Sequence, residues 1–304
     1  MLSEISNLTQ FLDKNSDLKS LLLQMQKSSD HFWLVGGCLR NSLLNLPQTD
    51  IDIACSGDPT LLTRTWAAEI SAHWFWLDEQ RHQSRVLLEN GLILDFSPLR
   101  ASSIIEDLQL RDFTINALAL PLDQLFPDSA LLDPTNGVGD LSNRQLEACS
   151  RQSFLDDPLR MLKGIRHAVT LDFTLSSQTR EQIMTSADLI ADVAGERIRD
   201  ELGKIFAADD IVKGVELLID TELLTALFGT AGEHWNPQVA IAEMGRFSAI
   251  IDEAELSMPA DLAAPETIEP FSIRAIFLLT QLLNHYAPAD LTNLLHQRLS
   301  LIHI

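Results

Sequence analysis

The sequence predicts an α+β chain in which a mixed strand-and-helix segment is followed by an all-helical one. Three observations carry this. Short apolar runs bounded by glycine, proline or Asn-Gly recur up to about residue 120. From about residue 154 the apolar positions recur every three to four residues instead, the period of an amphipathic helix. The 304 residues, 46% of them hydrophobic, suffice for one large domain or two to three small ones.

In chain order, Leu8, Phe11, Leu12, Leu18, Leu21 and Leu22 lie near helical spacing and predict an N-terminal helix within residues 1–28. Phe32-Trp33-Leu34-Val35, stopped by Gly36-Gly37, reads as a buried strand entering a tight turn. Leu39–Leu46 predicts a helix ended by Pro47, Ile51–Ala54 a second strand, and residues 60–71 another helix. Trp74–Leu77, Arg85–Leu88 and Leu92–Phe96 predict three further strands, the last two joined at Asn90-Gly91, a strong hairpin signal. Residues 97–110 read as a polar connection, and Phe113–Leu120 opens on a capping pattern and runs apolar. Together these make a head over residues 29–150. Arg160–Val169, Ser177–Ala187 and Glu196–Phe206 predict helices of a neck over residues 151–210. Residues 211–304 are expected to form a short helical body, with a proline-containing acidic stretch over 257–270 and an apolar helix over Ile273–Tyr286.

No run of eighteen apolar residues is present, which excludes the membrane-spanning helix class. The first residues have neither a basic nor an apolar leader segment, so no signal peptide is expected. Cys38, Cys55 and Cys149 form no CxxC pair and are read as reduced thiols of a cytoplasmic protein. Charge is the awkward fact: 43 acids against 22 bases give a net of −21, where a nucleic-acid binder ordinarily presents a basic surface. Any RNA contact must then come from a local patch. Among the head and neck bases, Arg81, Arg85, Arg100, Arg197 and Arg199 are the first candidates for it; residues 211–304 hold only Lys213, Arg246, Arg274 and Arg298.

The chemistry is carried by Gly36-Gly37-Cys38-Leu39-Arg40 followed by Asp50-Ile51-Asp52. A Gly-Gly turn after a strand brings backbone N–H groups close to a phosphate without Cβ interference. Carboxylates at i and i+2 of a strand point to one face, which suits a pair of Mg²⁺ ions. Asp95, in Leu94-Asp95-Phe96, is a candidate third carboxylate from a neighbouring strand.

These stretches resemble the class II tRNA nucleotidyltransferase (CCA-adding enzyme) and bacterial poly(A) polymerase family. Leu110-Arg111-Asp112-Phe113-Thr114-Ile115-Asn116-Ala117-Leu118-Ala119 is similar to the family's RRDFTINALA motif. Asp156-Asp157-Pro158-Leu159-Arg160 with Lys163 and Arg166 resembles its EDxxR nucleobase-reading helix, and Glu196–Leu202 the neck helix that follows. The resemblance implies a polymerase beta-like nucleotidyltransferase head with a mixed, five-stranded sheet. It agrees with two Mg²⁺ ions on Asp50 and Asp52, for which the Leu94-Asp95-Phe96 pattern alone offers Asp95 as a further ligand, and implies ATP and CTP as substrates. Nucleotide binding would fall to Gly36, Gly37, Arg40, Arg111, Asp112, Asn116, Asp157, Arg160, Lys163 and Arg166. Asp157 and Arg160, three apart on a helix, would imitate a base-pairing edge, while Lys163 and Arg166 hold the triphosphate. The implied activity is addition of CCA, or part of it, to the 3′ end of tRNA or another RNA. Poly(A) polymerase and A-only or CC-only addition are the alternatives within the class, and a nucleotide- or RNA-binding relative without turnover the alternative outside it. The departures are Asn41 for an acid, Leu110 for the first arginine, Asp156 for glutamate, Lys163 for an arginine and His167 for an aromatic.

Overall fold

The computed structural model describes residues 14–48, 50–122 and 131–229, with scattered residues between 236 and 272. It divides into two compact units, residues 1–150 and 151–304.

The first unit is built on a mixed sheet of six strands: β1 (Phe32–Val35), β2 (Asp50–Cys55), β3 (His73–Asp78), β4 (Gln83–Leu87), β5 (Ile93–Pro98) and β6 (Ala119–Pro121). Their order is β3-β4-β5-β2-β1-β6, with β2 and β5 parallel and every other neighbouring pair antiparallel. The β4–β5 hairpin turns at Asn90-Gly91, where Gly91 takes φ +84° and the Leu88 N–H donates to the Leu92 carbonyl at 3.0 Å. The implied five-stranded sheet is thus corrected to six. The extra strand comes from the apolar run Phe113–Leu120, which splits into a 3-10 turn, Thr114–Asn116, and β6 pairing with the edge of β1.

Register assigns each face its character. One row across the sheet reads Leu120, Leu34, Ile53, Phe96, Ser84, Trp76. The first five of these are buried. Helix α3 (Thr60–Glu69) packs on β3 and β4 and buries Thr63 and Trp66, and the Trp66 indole N–H donates to Ser20 Oγ of helix α1 (Ser16–Met25) at 2.9 Å. The adjacent row, on the opposite face, reads Ala119, Val35, Asp52, Asp95, Arg85, Phe75. Its apolar end is covered by helix α4 (Ile104–Gln109), whose Ile104 and Leu108 cluster with Val35, Ala54, Ala117 and Ala119. Where that cover stops, the carboxylates begin. Residues 97–110, expected as a plain connection, therefore contain the tail of β5 and a capped helix: Ser103 Oγ accepts from the Glu106 N–H at 3.3 Å. Helices α2 (Gly37–Leu43) and α5 (Gly137–Ser142) complete the unit.

The second unit is helical: α6 (Gln152–Asp156), α7 (Leu159–Thr170), α8 (Ser177–Ser186), α9 (Gly195–Phe206), α10 (Ile211–Asp220) and α11 (Leu223–Phe228). α7 and α9 form its centre, burying Met161, Leu162, Ile165 and Ala168 of one helix and Ile198, Leu202, Ile205 and Phe206 of the other. Leu8, Phe11 and Leu12, most of the 257–270 stretch, and the helix expected over Ile273–Tyr286 lie outside the described residues.

Candidate functional site

Asp50 and Asp52 project from β2 to the face that α4 leaves open, with Asp50 exposed and Asp52 half-buried. Asp95 stands directly opposite Asp52 on parallel β5, and Arg85 opposite Asp95 on β4. The Arg85 guanidinium donates Nε and Nη2 to the two Asp95 oxygens, each at 2.7 Å, a bidentate pair that raises the arginine's pKa further. Asp95 lies in the expected row, but as a ligand it would first have to exchange Arg85. Among the described residues no three His, Cys, Asp or Glu side chains form a ready metal cage.

The Asp52 carboxyl is pushed up to about 6, by burial first and by Asp95 and Asp50, against the opposing pull of Arg111 and Arg40. A carboxylate so crowded with like charge favours a cation. An oxygen-only pair fits Mg²⁺, which keeps waters and takes one or two carboxylates plus substrate phosphates. Asp50 and Asp52 together fit that group. Cys38 lies under them, buried, with its thiol pushed up to about 12 by burial and then by Asp52, so it is no nucleophile. Cys38, Cys55 and Cys149 are all free thiols.

Gly36 shapes the other wall. It takes φ +75° as the cap of α2, and a Cβ there would sit 3.0 Å from Asp52 Oδ2 and 3.4 Å from Arg111 Nη1. The glycine lets the backbone, the carboxylate and the guanidinium converge. Gly36→Ala is expected to lose about 1–3 kcal/mol of stability from the positive-φ backbone alone, and at least tenfold in nucleotide incorporation; urea melts and primer extension measure both. Full activity in Gly36→Ala would remove the close approach from the site.

Arg40 is oriented by amides. Its Nη1 donates to Asn116 Oδ1 at 2.6 Å, and its Nε and Nη2 to Asn41 Oδ1 at 3.1 and 2.9 Å. Asn116 Nδ2 donates to Asp112 Oδ1 at 3.1 Å, and that oxygen also accepts the Phe113 N–H. Asn41, a departure from the family pattern, thus orients the arginine without a charge. Gly36, Arg40, Asp50, Asp52, Asp95, Arg111, Asp112 and Asn116 all come together in the first unit, and Gly37 opens α2 beside them.

In the second unit the expected helical pair is corrected. Asp157 is extended, φ −147° and ψ 95°, between α6 and α7. Pro158 follows it, and a proline bars the preceding residue from the helical region. Asp157 accepts from Arg197 Nη2 at 3.1 and 3.3 Å, while Arg160 Nη1 donates to Ser153 Oγ at 2.9 Å. Lys163 lies on α7. Arg166 is turned onto α9, where its Nε donates to Glu201 at 2.7 Å. Sequence reasoning missed Glu201, Ser153 and the α4 acid Asp107.

The expected basic patch is paired throughout. Arg81 meets Asp78 at 3.6 Å, Arg85 Asp95, Arg100 Asp107 at 3.2 Å, Arg197 Asp157, and Arg199 Asp200 at 3.4 Å. An RNA phosphate at any of these positions would compete with a carboxylate.

The family model described as "Poly A polymerase head domain" matches residues 32–147, and the one described as "Probable RNA and SrmB- binding site of polymerase A" matches residues 172–232. Geobacter sulfurreducens has a CC-adding tRNA nucleotidyltransferase 43% identical over 198 residues, 65% of this chain and 45% of that protein. A CCA-adding enzyme of Streptococcus thermophilus is 30% identical over 250 residues, 75% of this chain and 60% of that protein. The chain spans about half the length of the curated relatives it matches. In fold it is similar to the Thermotoga maritima CCA-adding enzyme complexed with tRNA, with a TM-score of 0.79 at 24% identity, over 93% of this chain and 66% of that one. Head sheet, Gly-Gly turn, DxD strand and the two matched models agree: residues 32–147 and 172–232 carry the head domain and the RNA-binding segment of the poly(A) polymerase family, to which the tRNA nucleotidyltransferases are similar.

Proposed function

We propose that the chain is a template-independent nucleotidyltransferase that adds all or part of CCA to the 3′ end of tRNA from CTP and ATP in the cytoplasm, releasing pyrophosphate. The observation that carries it is the Asp50–Asp52 pair on an open sheet face, walled by Gly36 and Arg111. Asp50 and Asp52 would hold two Mg²⁺ ions, which when bound acidify the attacking 3′ hydroxyl and neutralise charge on the triphosphate. Arg40 and Arg111 would bind the triphosphate by charge-assisted bonds, and Asp112 and Asn116 would keep Arg40 in place. Nucleotide choice would rest with Asp157 and Arg160, whose donors and acceptors suit a base edge.

A narrower reading, addition of CC alone, is favoured by the Geobacter relative's name at 43% identity. The test is tRNA ending before CCA, given CTP alone, ATP alone and both, with products sized. CCA addition gives two steps with CTP and a third only with both; CC addition gains nothing from ATP; a poly(A) polymerase makes a ladder from ATP alone. No extension here, and none of a tRNA ending in CC given ATP, which an A-only enzyme would extend, refutes the enzyme and leaves a binding relative.

Asp157→Ala and Arg160→Ala are each expected to reduce discrimination against UTP and GTP at least tenfold, since unpaired edge groups no longer reject the wrong base. If both variants slow all four nucleotides equally and keep their selectivity, the pair acts only in the fold.

A further inference from the structure

α4 carries an acid that stands outside the metal and nucleotide contacts. Asp107 is 2% exposed. One carboxylate oxygen accepts the Arg100 backbone N–H at 2.9 Å and Arg100 Nε at 3.2 Å; the other accepts Arg111 Nε at 3.2 Å and Nη2 at 3.1 Å. Arg100 Nη2 also reaches the Asp107 carbonyl at 3.3 Å. A buried carboxylate is tolerated when fully paired, and burial here is outweighed by Arg111 and Arg100, so the carboxyl is held below its usual range.

The direction of the grip is the informative part. Asp107 and Arg111 are four residues apart at the end of a helix and so share a side. Holding Nε and Nη2 from one side fixes the plane of the guanidinium. Its remaining nitrogen, Nη1, is then the one that faces the Gly36 turn, near Asp52. Arg111 also has a competing attractor, because the Asp52 carboxylate is near enough for the arginine's charge to pull its pKa down.

We propose that Asp107 is a positioning residue for the incoming nucleotide: it holds Arg111 side-on, aimed at the triphosphate's place beside Gly36, and ties that aim to Arg100 just beyond β5. This rests on Arg111 binding the triphosphate, as the proposed function has it. A purely structural ion pair would make no distinction between nucleotide and tRNA binding; a positioning residue does.

The experiment is a double-mutant cycle with Asp107→Asn, Arg111→Ala and the double variant, reading CTP KM, tRNA KM, kcat, equilibrium CTP binding with Mg²⁺, and melting temperature. Asp107→Asn is expected to raise CTP KM and weaken CTP binding at least tenfold with tRNA KM unchanged. In the Arg111→Ala background it should add less than twofold, because the residue it acts through is gone. Unchanged CTP affinity in Asp107→Asn, or losses that simply add, overturns the proposal. Should Asp107→Asn not fold, Arg111→Lys keeps the charge and leaves Asp107 paired with Arg100, but gives up the two-nitrogen hold. It is expected to show the same tenfold rise in CTP KM, and wild-type CTP kinetics in it overturns the proposal. A wild-type chain that neither binds CTP nor extends tRNA refutes the proposed function and this role with it. A wild-type chain that does both while the losses add refutes the positioning role alone.

Discussion

Asp52→Asn is expected to lose at least about 10³-fold in nucleotide incorporation, some 4 kcal/mol of transition-state stabilisation, while the metal-free chain becomes more stable at pH 7.5. The two effects have one cause. Burial, and then Asp95 and Asp50, push the Asp52 carboxyl up to about 6, from 3.8. The folded pKa is raised, so the ionised form opposes folding: the cost is fully present above pH 6, shrinks as pH falls, and is gone below about 4. A rise of that size corresponds to on the order of 2–3 kcal/mol. Melting curves of wild type and Asp52→Asn should therefore differ at pH 7.5, with the variant higher, and converge towards pH 4. Asp50→Ala should match the activity loss without the gain in stability, since Asp50 is exposed. An Asp52→Asn chain that melts lower than wild type at pH 7.5, or one that still incorporates nucleotide, contradicts the assignment.

Glu201→Ala is expected to cost about 3 kcal/mol of stability, the largest loss for any single buried charge among the described residues of the second unit. Glu201 is 5% exposed on α9. It accepts Arg166 Nε at 2.7 Å and Lys204 Nζ at 3.0 Å, and Arg166 belongs to α7, so the carboxylate ties the two central helices together. Removing one partner of a buried pair leaves the other charge uncompensated, which costs about 3–5 kcal/mol. Burial raises the Glu201 pKa, but Arg166 and then Lys204 outweigh it, and the net shift is down. Its contribution is then present above the unfolded carboxyl's pKa, near 4.5, and is lost as pH falls through the lower folded value. Urea melts at pH 7 and pH 3.5 measure this: the variant's deficit should be large at the first and smaller at the second. A deficit under 1 kcal/mol at pH 7 would show that α7 and α9 are held by apolar packing alone.

The DxD strand and its turn were legible because their signals are local. An apolar run, two glycines and alternating acids leave few ways to fold, and register then sets Asp52 beside Asp95 as the alternation requires. α4 was missed because six residues are too few to show a helical period, although the Ser103-to-Glu106 cap is a local signal that precedes Ile104 and Ile105. Asp157 leaves the helix for a reason also readable in the sequence, the proline after it. Other features were not readable. A buried acid such as Asp107 looks like any surface acid until its helix is seated. Likewise Arg166 finds Glu201 35 positions away, and Arg197 finds Asp157 40 positions away. The bases expected to meet RNA each have a carboxylate neighbour, and of these pairs only Arg197–Asp157 spans a long stretch of sequence.

The most direct measurement is pyrophosphate stoichiometry in a single turnover: tRNA ending before CCA, excess protein, labelled CTP and Mg²⁺, with incorporated cytidine and released pyrophosphate counted together. The account predicts one pyrophosphate for each nucleotide added, and none of either with Asp52→Asn. CTP that binds tightly while releasing no pyrophosphate, or incorporation that persists in Asp52→Asn, would contradict it.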